Sequence, residues 1–223
     1  MDTLDTFDTL SDDLYRDVTD FAHSTPHWLR LLAEVWTEAG LLLFGVLFLA
    51  GWWRARSAPS GAMALALLAP LATAFGYVVS EALKSVVDEE RPCRAVAGAA
   101  SSLVPCPPTG DWSFPSNHAA IAGAAAVALA LSWRGIVWLT VPMALLMAFS
   151  RVFVGVHYPH DVVVGLLVGG AVGVLVVKGS NRPVRALVET ARSSRNGAVV
   201  WCAGRGPRSH ASSRPGGVRH GAY

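Results

Sequence analysis

The sequence predicts an all-α fold, a polytopic transmembrane helix bundle of about five spans preceded by an N-terminal amphipathic helix. Three observations carry that expectation. Hydrophobic residues make up 52% of the 223 residues and charged residues only 15%, a balance that argues against a soluble globule. The apolar residues come in long blocks rather than at amphipathic spacing. Polar and charged residues collect in the connections between those blocks.

The net charge is only +2, but it is unevenly spread. Residues 1–20 hold seven Asp and one Arg, whereas residues 178–223 hold nine Lys or Arg and one Glu. In a membrane protein such asymmetry sets orientation, because basic loops stay in the cytoplasm. The acidic start, with no basic region before a short apolar stretch, reads as no secretory signal peptide, so the first span is expected to remain as an anchor.

Taken in order, residues 1–34 form an acidic segment in which Leu4, Phe7, Leu10, Leu14, Val18 and Phe21 recur every three or four positions. That spacing predicts an amphipathic helix lying on the membrane surface or packed against the spans. A partly ordered acidic tail is the alternative, and seven Asp argue against a further span here. The membrane domain is expected over 35–178. Its first span covers 36–53, with tryptophans near both ends as interfacial anchors, followed by Arg54, Arg56 and a turn at 57–61. The second covers 62–83, with a kink at Pro70, and a long polar loop fills 84–114. The third span runs from Pro115 to about Trp133. After the Trp133-Arg134-Gly135 turn the fourth reaches about Val156, and the fifth covers 162–177. Residues 179–223 are expected to be a basic cytoplasmic tail, disordered at least beyond Ser193. Its charge is read as topological, in preference to a headgroup-binding role.

Arg54, Arg56, Arg134 and the tail fall on one side of this arrangement, which is therefore cytoplasmic. Three polar clusters fall on the other. Lys84 and Arg91 open the long loop, Pro115-Ser116-Asn117-His118 opens the third span, and Arg151, His157 and Asp161 surround the junction of the fourth and fifth. One cation at membrane depth is ordinarily a snorkelling or paired side chain. Several beside two histidines and a serine suit a phosphate group. Free N–H groups in the first turn of the third span add an anion nest, compatible with capping by Ser116 or Asn117. His118 beside that nest is a candidate general acid. His157 and Asp161, four residues apart, share a face, so the carboxylate would fix one imidazole nitrogen and leave the other as nucleophile. Tyr158, Pro159 and His160 read as loop geometry. Cys93 and Cys106 share the polar loop, either as a disulfide or as two free thiols. Cysteine spacing offers no zinc site.

Lys84, six residues, Arg91-Pro92, then Pro115-Ser116-Asn117-His118, then Ser150-Arg151, five residues, His157, three residues, Asp161 resembles the three-part signature of the type-2 phosphatidic acid phosphatase family. The resemblance covers about 62–177, with Asn117 standing where the family usually has Gly. It implies a membrane lipid phosphatase needing no metal and no cofactor. His157 would be the nucleophile that becomes a phosphohistidine, Asp161 its orienting partner, and His118 the acid that protonates the leaving oxygen. Lys84, Arg91, Arg151, Ser116 and the N–H of Asn117 would cradle the phosphoryl oxygens. The wording of the motifs is most similar to bacterial polyprenyl (undecaprenyl) diphosphate phosphatases. Phosphatidic acid or phosphatidylglycerophosphate is the alternative substrate, and a lipid phosphotransferase or a silent scaffold the alternative class. The expected partner is a lipid phosphate arriving from the membrane, not nucleic acid. The expected location is the plasma membrane, with the site on the extracytoplasmic face.

Overall fold

The computed structural model describes residues 3–207, and their regular structure is helical, with no strand among the described residues. In order come α1 (Thr3–Ser24), α2 (His27–Ala55), α3 (Ser60–Lys84), the short α4 (Pro92–Ala95), α5 (Asn117–Ser132), α6 (Val137–Phe153), α7 (Pro159–Arg192) and α8 (Gly197–Ala203). Helices α2, α3, α7, and α6 with the helical turn before it, are long and apolar enough to cross a membrane. Helix α5 is equally apolar but only 16 residues long. The chain is thus a multi-pass membrane protein built on the five expected apolar helices.

Helix α5 is the centre of the bundle. Ala119, Ala120, Ala122, Ala124, Ala125 and Ala128 are wholly buried, and its sides are covered by α3, α6 and α7. A helix apolar on every face is one that neighbours surround. In lipid there is little hydrophobic gain in joining helices, so small residues that let backbones meet hold them together. Gly165, Gly169 and Gly173 form such a stripe on α7. A Cβ on Gly165 would lie 2.6 Å from the Ser116 carbonyl oxygen, and one on Gly169 would overlap that of Ala120. Gly123 makes the reciprocal approach, with a Cβ there 2.5 Å from the Leu166 oxygen. This seam sets the starts of α5 and α7 side by side, where the Ser116 N–H donates to the Asp161 main-chain oxygen at 3.1 Å.

Two boundaries differ from the sequence expectation. Helix α2 begins at His27, directly after Pro26, instead of near residue 36. Helix α7 runs on to Arg192, through the stretch expected to be tail. Val184 and Val188, one turn apart, dock on Met63 and Ala64 of α3 and keep the helix going. Helix α8 then turns back on the bundle: the Trp52 indole N–H donates to the Cys202 oxygen at 3.0 Å, and Arg192 Nε donates to the Ala203 oxygen at 3.0 Å. Residues 179–207 are therefore ordered and largely helical, a correction to the expected disorder. Residues 208–223 of that tail lie outside the described residues. At this end Arg56 stacks over Trp52, Trp53 and Trp201, and Arg54 over Trp133.

Helix α1 packs over the loops at the opposite end. Tyr15 is wholly buried, its hydroxyl donates to the Gly155 oxygen at 2.9 Å, and its ring meets Tyr158 at 5.9 Å between centroids. Phe21 makes an edge contact with Phe153. Of the readings open for this segment, a helix packed on the body of the protein is the one found.

The glycine seam makes a direct prediction. Gly169→Ala should destabilise the detergent-solubilised protein by about 1–3 kcal/mol, because the neighbour it strikes is backbone. Gly45→Ala, where a Cβ meets nothing within 4 Å, should be neutral or slightly stabilising. Thermal unfolding of both variants checks the pair, and equal behaviour would refute the role given to the seam.

Candidate active site

The site forms where five helix ends meet two loops. Lys84 ends α3, Arg91 precedes α4, and Arg151 lies in the last turn of α6. Ser116 caps α5, with Asn117 and His118 in its first turn. After α6 the chain reverses at Gly155, whose φ of 82° lies in the left-handed region that side chains disfavour. The turn sends His157 inward. Pro159 then opens α7, and the Asp161 carboxylate accepts the Tyr158 N–H at 2.9 Å, capping the helix start.

His157 and Asp161 are both buried, and His157 Nδ1 lies 3.1 Å from Asp161 Oδ2. On the other side of the ring, Arg91 Nη1 lies 3.1 Å from Nε2. A guanidinium only donates, so Nε2 accepts there, and the ring proton sits on Nδ1 and points at Asp161. Burial, reinforced by the positive charges of Arg91, Arg151 and Lys84, holds the His157 imidazole well below its ordinary pKa. It is a neutral base with its lone pair facing a cation.

The cations are held largely by main chain. Arg91 Nε donates to the Asp111 oxygen at 2.8 Å and Nη1 to the Val156 oxygen at 3.0 Å, while Lys84 Nζ donates to the Trp112 oxygen at 2.9 Å. Both also reach Asp111 Oδ1, Arg91 at 2.8 Å and Lys84 at 3.3 Å. Partial burial alone would raise the Asp111 pKa, but the bonds and charges of Arg91 and Lys84 hold it below the usual carboxylate value. Arg151 is braced from α2: Nη1 donates to Thr37 Oγ1 at 2.8 Å, with Glu38 at 3.9 Å. Its Nε is buried without a partner among the described residues.

All eight residues singled out from sequence converge here. His118 is half-buried, within electrostatic reach of Arg151, His157, Lys84 and Arg91. Ser116 is buried, and its hydroxyl accepts the Ala119 N–H at 3.5 Å. The Asn117 side chain bonds the neighbouring helix α3. It accepts from Ser80 Oγ at 2.7 Å and donates to Glu81, fastening α5 to α3 one turn below Lys84. Its main-chain N–H belongs to the first turn, where no intrahelical acceptor exists. His160 bonds Ser11 of α1 at 2.7 Å through Nδ1 and Glu89 at 2.9 Å through Nε2, and stacks on Tyr158. Glu89, His160 and Asp161 place ligand-type atoms within 4.8 Å of one another, but His160 Nε2 is the atom bonded to Glu89. Cys93 and Cys106 form a disulfide, the pairing that sequence left open, which closes the loop between Arg91 and Asp111.

Ser113 was missed. It is wholly buried, and its hydroxyl donates to Asp161 Oδ2. The only signal was its place in Asp-Trp-Ser-Phe-Pro-Ser, just before the recognised motif. Thr37 and Asp111 were missed as partners of the cations for the same reason: neither has a spacing that marks it.

Residues 63–185, over half of the chain, match the PAP2 superfamily. The chain belongs to the PAP2 superfamily. It is 33% identical over 145 residues to undecaprenyl-diphosphatase BcrC of Bacillus subtilis, covering 65% of this chain and 72% of that protein. It is 39% identical over 102 residues to an undecaprenyl-diphosphatase of Sulfolobus acidocaldarius, 45% of this chain and 48% of the relative, so that match spans about half of each. The fold is similar to that of LpxE from Aquifex aeolicus, with a TM-score of 0.60 at 24% identity over 74% of this chain and 93% of that one.

Two outcomes are expected. Ser113→Ala removes a bond to a buried charge, commonly worth 1.5–3 kcal/mol, and should lower kcat on a lipid phosphate substrate by about tenfold or more. An unchanged kcat would show that Asp161 needs no such support. Because His157 has a depressed pKa, its neutral imidazole persists as pH falls and is lost only when pH passes below its folded-state value. The acid limb of kcat/KM should therefore inflect below about 6.5, the ordinary imidazole value.

Proposed function

We propose that this protein is a metal-independent membrane phosphatase that hydrolyses a lipid phosphate or diphosphate, with polyprenyl (undecaprenyl) diphosphate to monophosphate as the preferred reaction. The observation that carries this reading is the orientation of His157. Nδ1–H donates to Asp161, which leaves the Nε2 lone pair turned toward Arg91, a guanidinium of the kind that binds phosphate.

Nε2 attacks the terminal phosphorus and forms an N–P bond as the P–O bond to the lipid leaving group breaks. His118 protonates the departing oxygen. Asp161 stabilises the positive imidazole that results, and Lys84, Arg91, Arg151 and the first-turn N–H of Asn117 balance charge on the phosphoryl oxygens. Water then attacks the phosphohistidine with His118 taking its proton. The N–P bond breaks, inorganic phosphate leaves, and neutral His157 is restored. Relatives named undecaprenyl-diphosphatase support the choice of a polyprenyl diphosphate.

The site is assigned to the extracytoplasmic face of the plasma membrane. The basic ends of the spans, with Arg54, Arg56 and Arg134, lie at the opposite end of the bundle, and the site-end loop carries the disulfide.

Phosphate release from purified polyprenyl diphosphate, phosphatidic acid and phosphatidylglycerophosphate in detergent tests the reaction. Polyprenyl diphosphate should turn over fastest, His157→Ala should lose several kcal/mol of barrier reduction, and EDTA should leave the rate intact. Equal turnover in the variant, or loss of rate to EDTA, would sink the mechanism. Cys202, free and exposed, should react with a membrane-impermeant maleimide in inverted vesicles but not in intact cells.

A further inference from the structure

We propose that Asp111 is a resident anion, occupying the phosphate-binding cations between turnovers and lowering their affinity for inorganic phosphate so that the product leaves. The inference rests on the phosphatase reading above and concerns the same site. Its starting point is a difference in access. The side chains of Lys84 and Arg91 are only 8% and 3% exposed, whereas that of Asp111 is 45% exposed. An anion arriving from the open side therefore meets the Asp111 carboxylate before it reaches either cation.

The second observation is that the cations do not need that carboxylate for their positions. Arg91 is held by the main-chain oxygens of Asp111 and Val156, and Lys84 by that of Trp112. Only one carboxylate oxygen, Oδ1, receives bonds from the two cations, at 2.8 and 3.3 Å. The carboxylate can thus swing out without disturbing the main-chain bonds that aim Arg91 at His157 Nε2. It has space to do so, in a cavity of about 380 Å³ lined by Glu81, Lys84, Ser85, Gly110, Asp111 and Trp112.

The third is the balance of charge. Lys84, Arg91 and Arg151 present three positive charges in poorly hydrated surroundings, enough to retain a phosphate dianion strongly. A site that binds product as firmly as it binds the transition state turns over slowly. A carboxylate tethered next to the cations competes with free phosphate at high effective concentration. A lipid substrate, anchored in the membrane by its tail, bears that competition better than a freely diffusing product.

The test uses the full-length, detergent-solubilised protein, following lipid product by chromatography while inorganic phosphate is added as inhibitor. Asp111→Asn keeps the shape and removes the charge, and its Ki for phosphate should fall by about fivefold or more. Asp111→Ser should behave alike and decides the matter if the first variant does not purify. An unchanged or raised Ki would overturn the proposal, since a carboxylate that merely positions the cations would weaken phosphate binding when lost. If the wild type turns over no lipid phosphate, it is the phosphatase reading that fails. Phosphate-induced thermal stabilisation then compares the proteins directly: a larger shift in Asp111→Asn than in the wild type supports the resident anion, and an equal or smaller one overturns it.

Discussion

The structure depends on one buried carboxylate. Asp161 is fully excluded from solvent, and an anion so placed is tolerated only when its hydrogen bonds are supplied by the protein. His157, Ser113 and the Tyr158 N–H all converge on one of its oxygens. Its main-chain oxygen, in turn, accepts from Ser116 at the start of α5. These donors come from the loop before α5, from its cap and from the turn before α7. Bringing these donors to Oδ2 therefore requires that separate stretches of chain arrive together, and His157 is oriented by the same arrangement, while among the described residues Oδ1 has only the His160 ring nitrogen, at 3.2 Å.

What lets them arrive is packing of backbone against backbone. Alanines on α5 and glycines on α7 bring the two helices close enough for carbonyl oxygens to touch α-carbons. Asn117 adds a polar tie to α3 through Ser80 and Glu81. Here the departure from the family's usual glycine has a physical account: the side chain makes its hydrogen bonds to a neighbouring helix. With helix ends fixed in this way, three cations are held beside a neutral histidine before any ligand arrives, so little reorganisation is left for the reaction itself.

Much of this was legible in the sequence, for reasons that differ by residue. The spans were readable because lipid demands unbroken apolar blocks. His157 and Asp161 were marked by their four-residue spacing, but His157 lies before α7 in the turn, and the two meet because Asp161 in the first turn of α7 reaches back over the helix start. Ser113 and Thr37 were not. A lone hydroxyl has no period, and Thr37 meets Arg151 across 114 positions of chain through helix packing that composition cannot rank. The continuation of α7 was hidden by Gly179, Ser180 and Pro183, which read as a tail until Val184 and Val188 are seen to rest on α3. The disulfide was undecidable because two cysteines in one loop fit either state equally well.

The short length of α5 has one more consequence. Sixteen residues at 1.5 Å each span about 24 Å, less than the roughly 30 Å of a bilayer's hydrocarbon core. With the turn after α5 resting at one boundary, the opposite end, where His118 stands, sits several ångströms beneath the other. A lipid headgroup would then meet His118 and His157 at about the depth where it already resides. At that depth the tail need not be lifted into water for the headgroup to reach the site. An amphiphile and a water-soluble phosphate ester of identical head chemistry would thus start from different depths relative to this site.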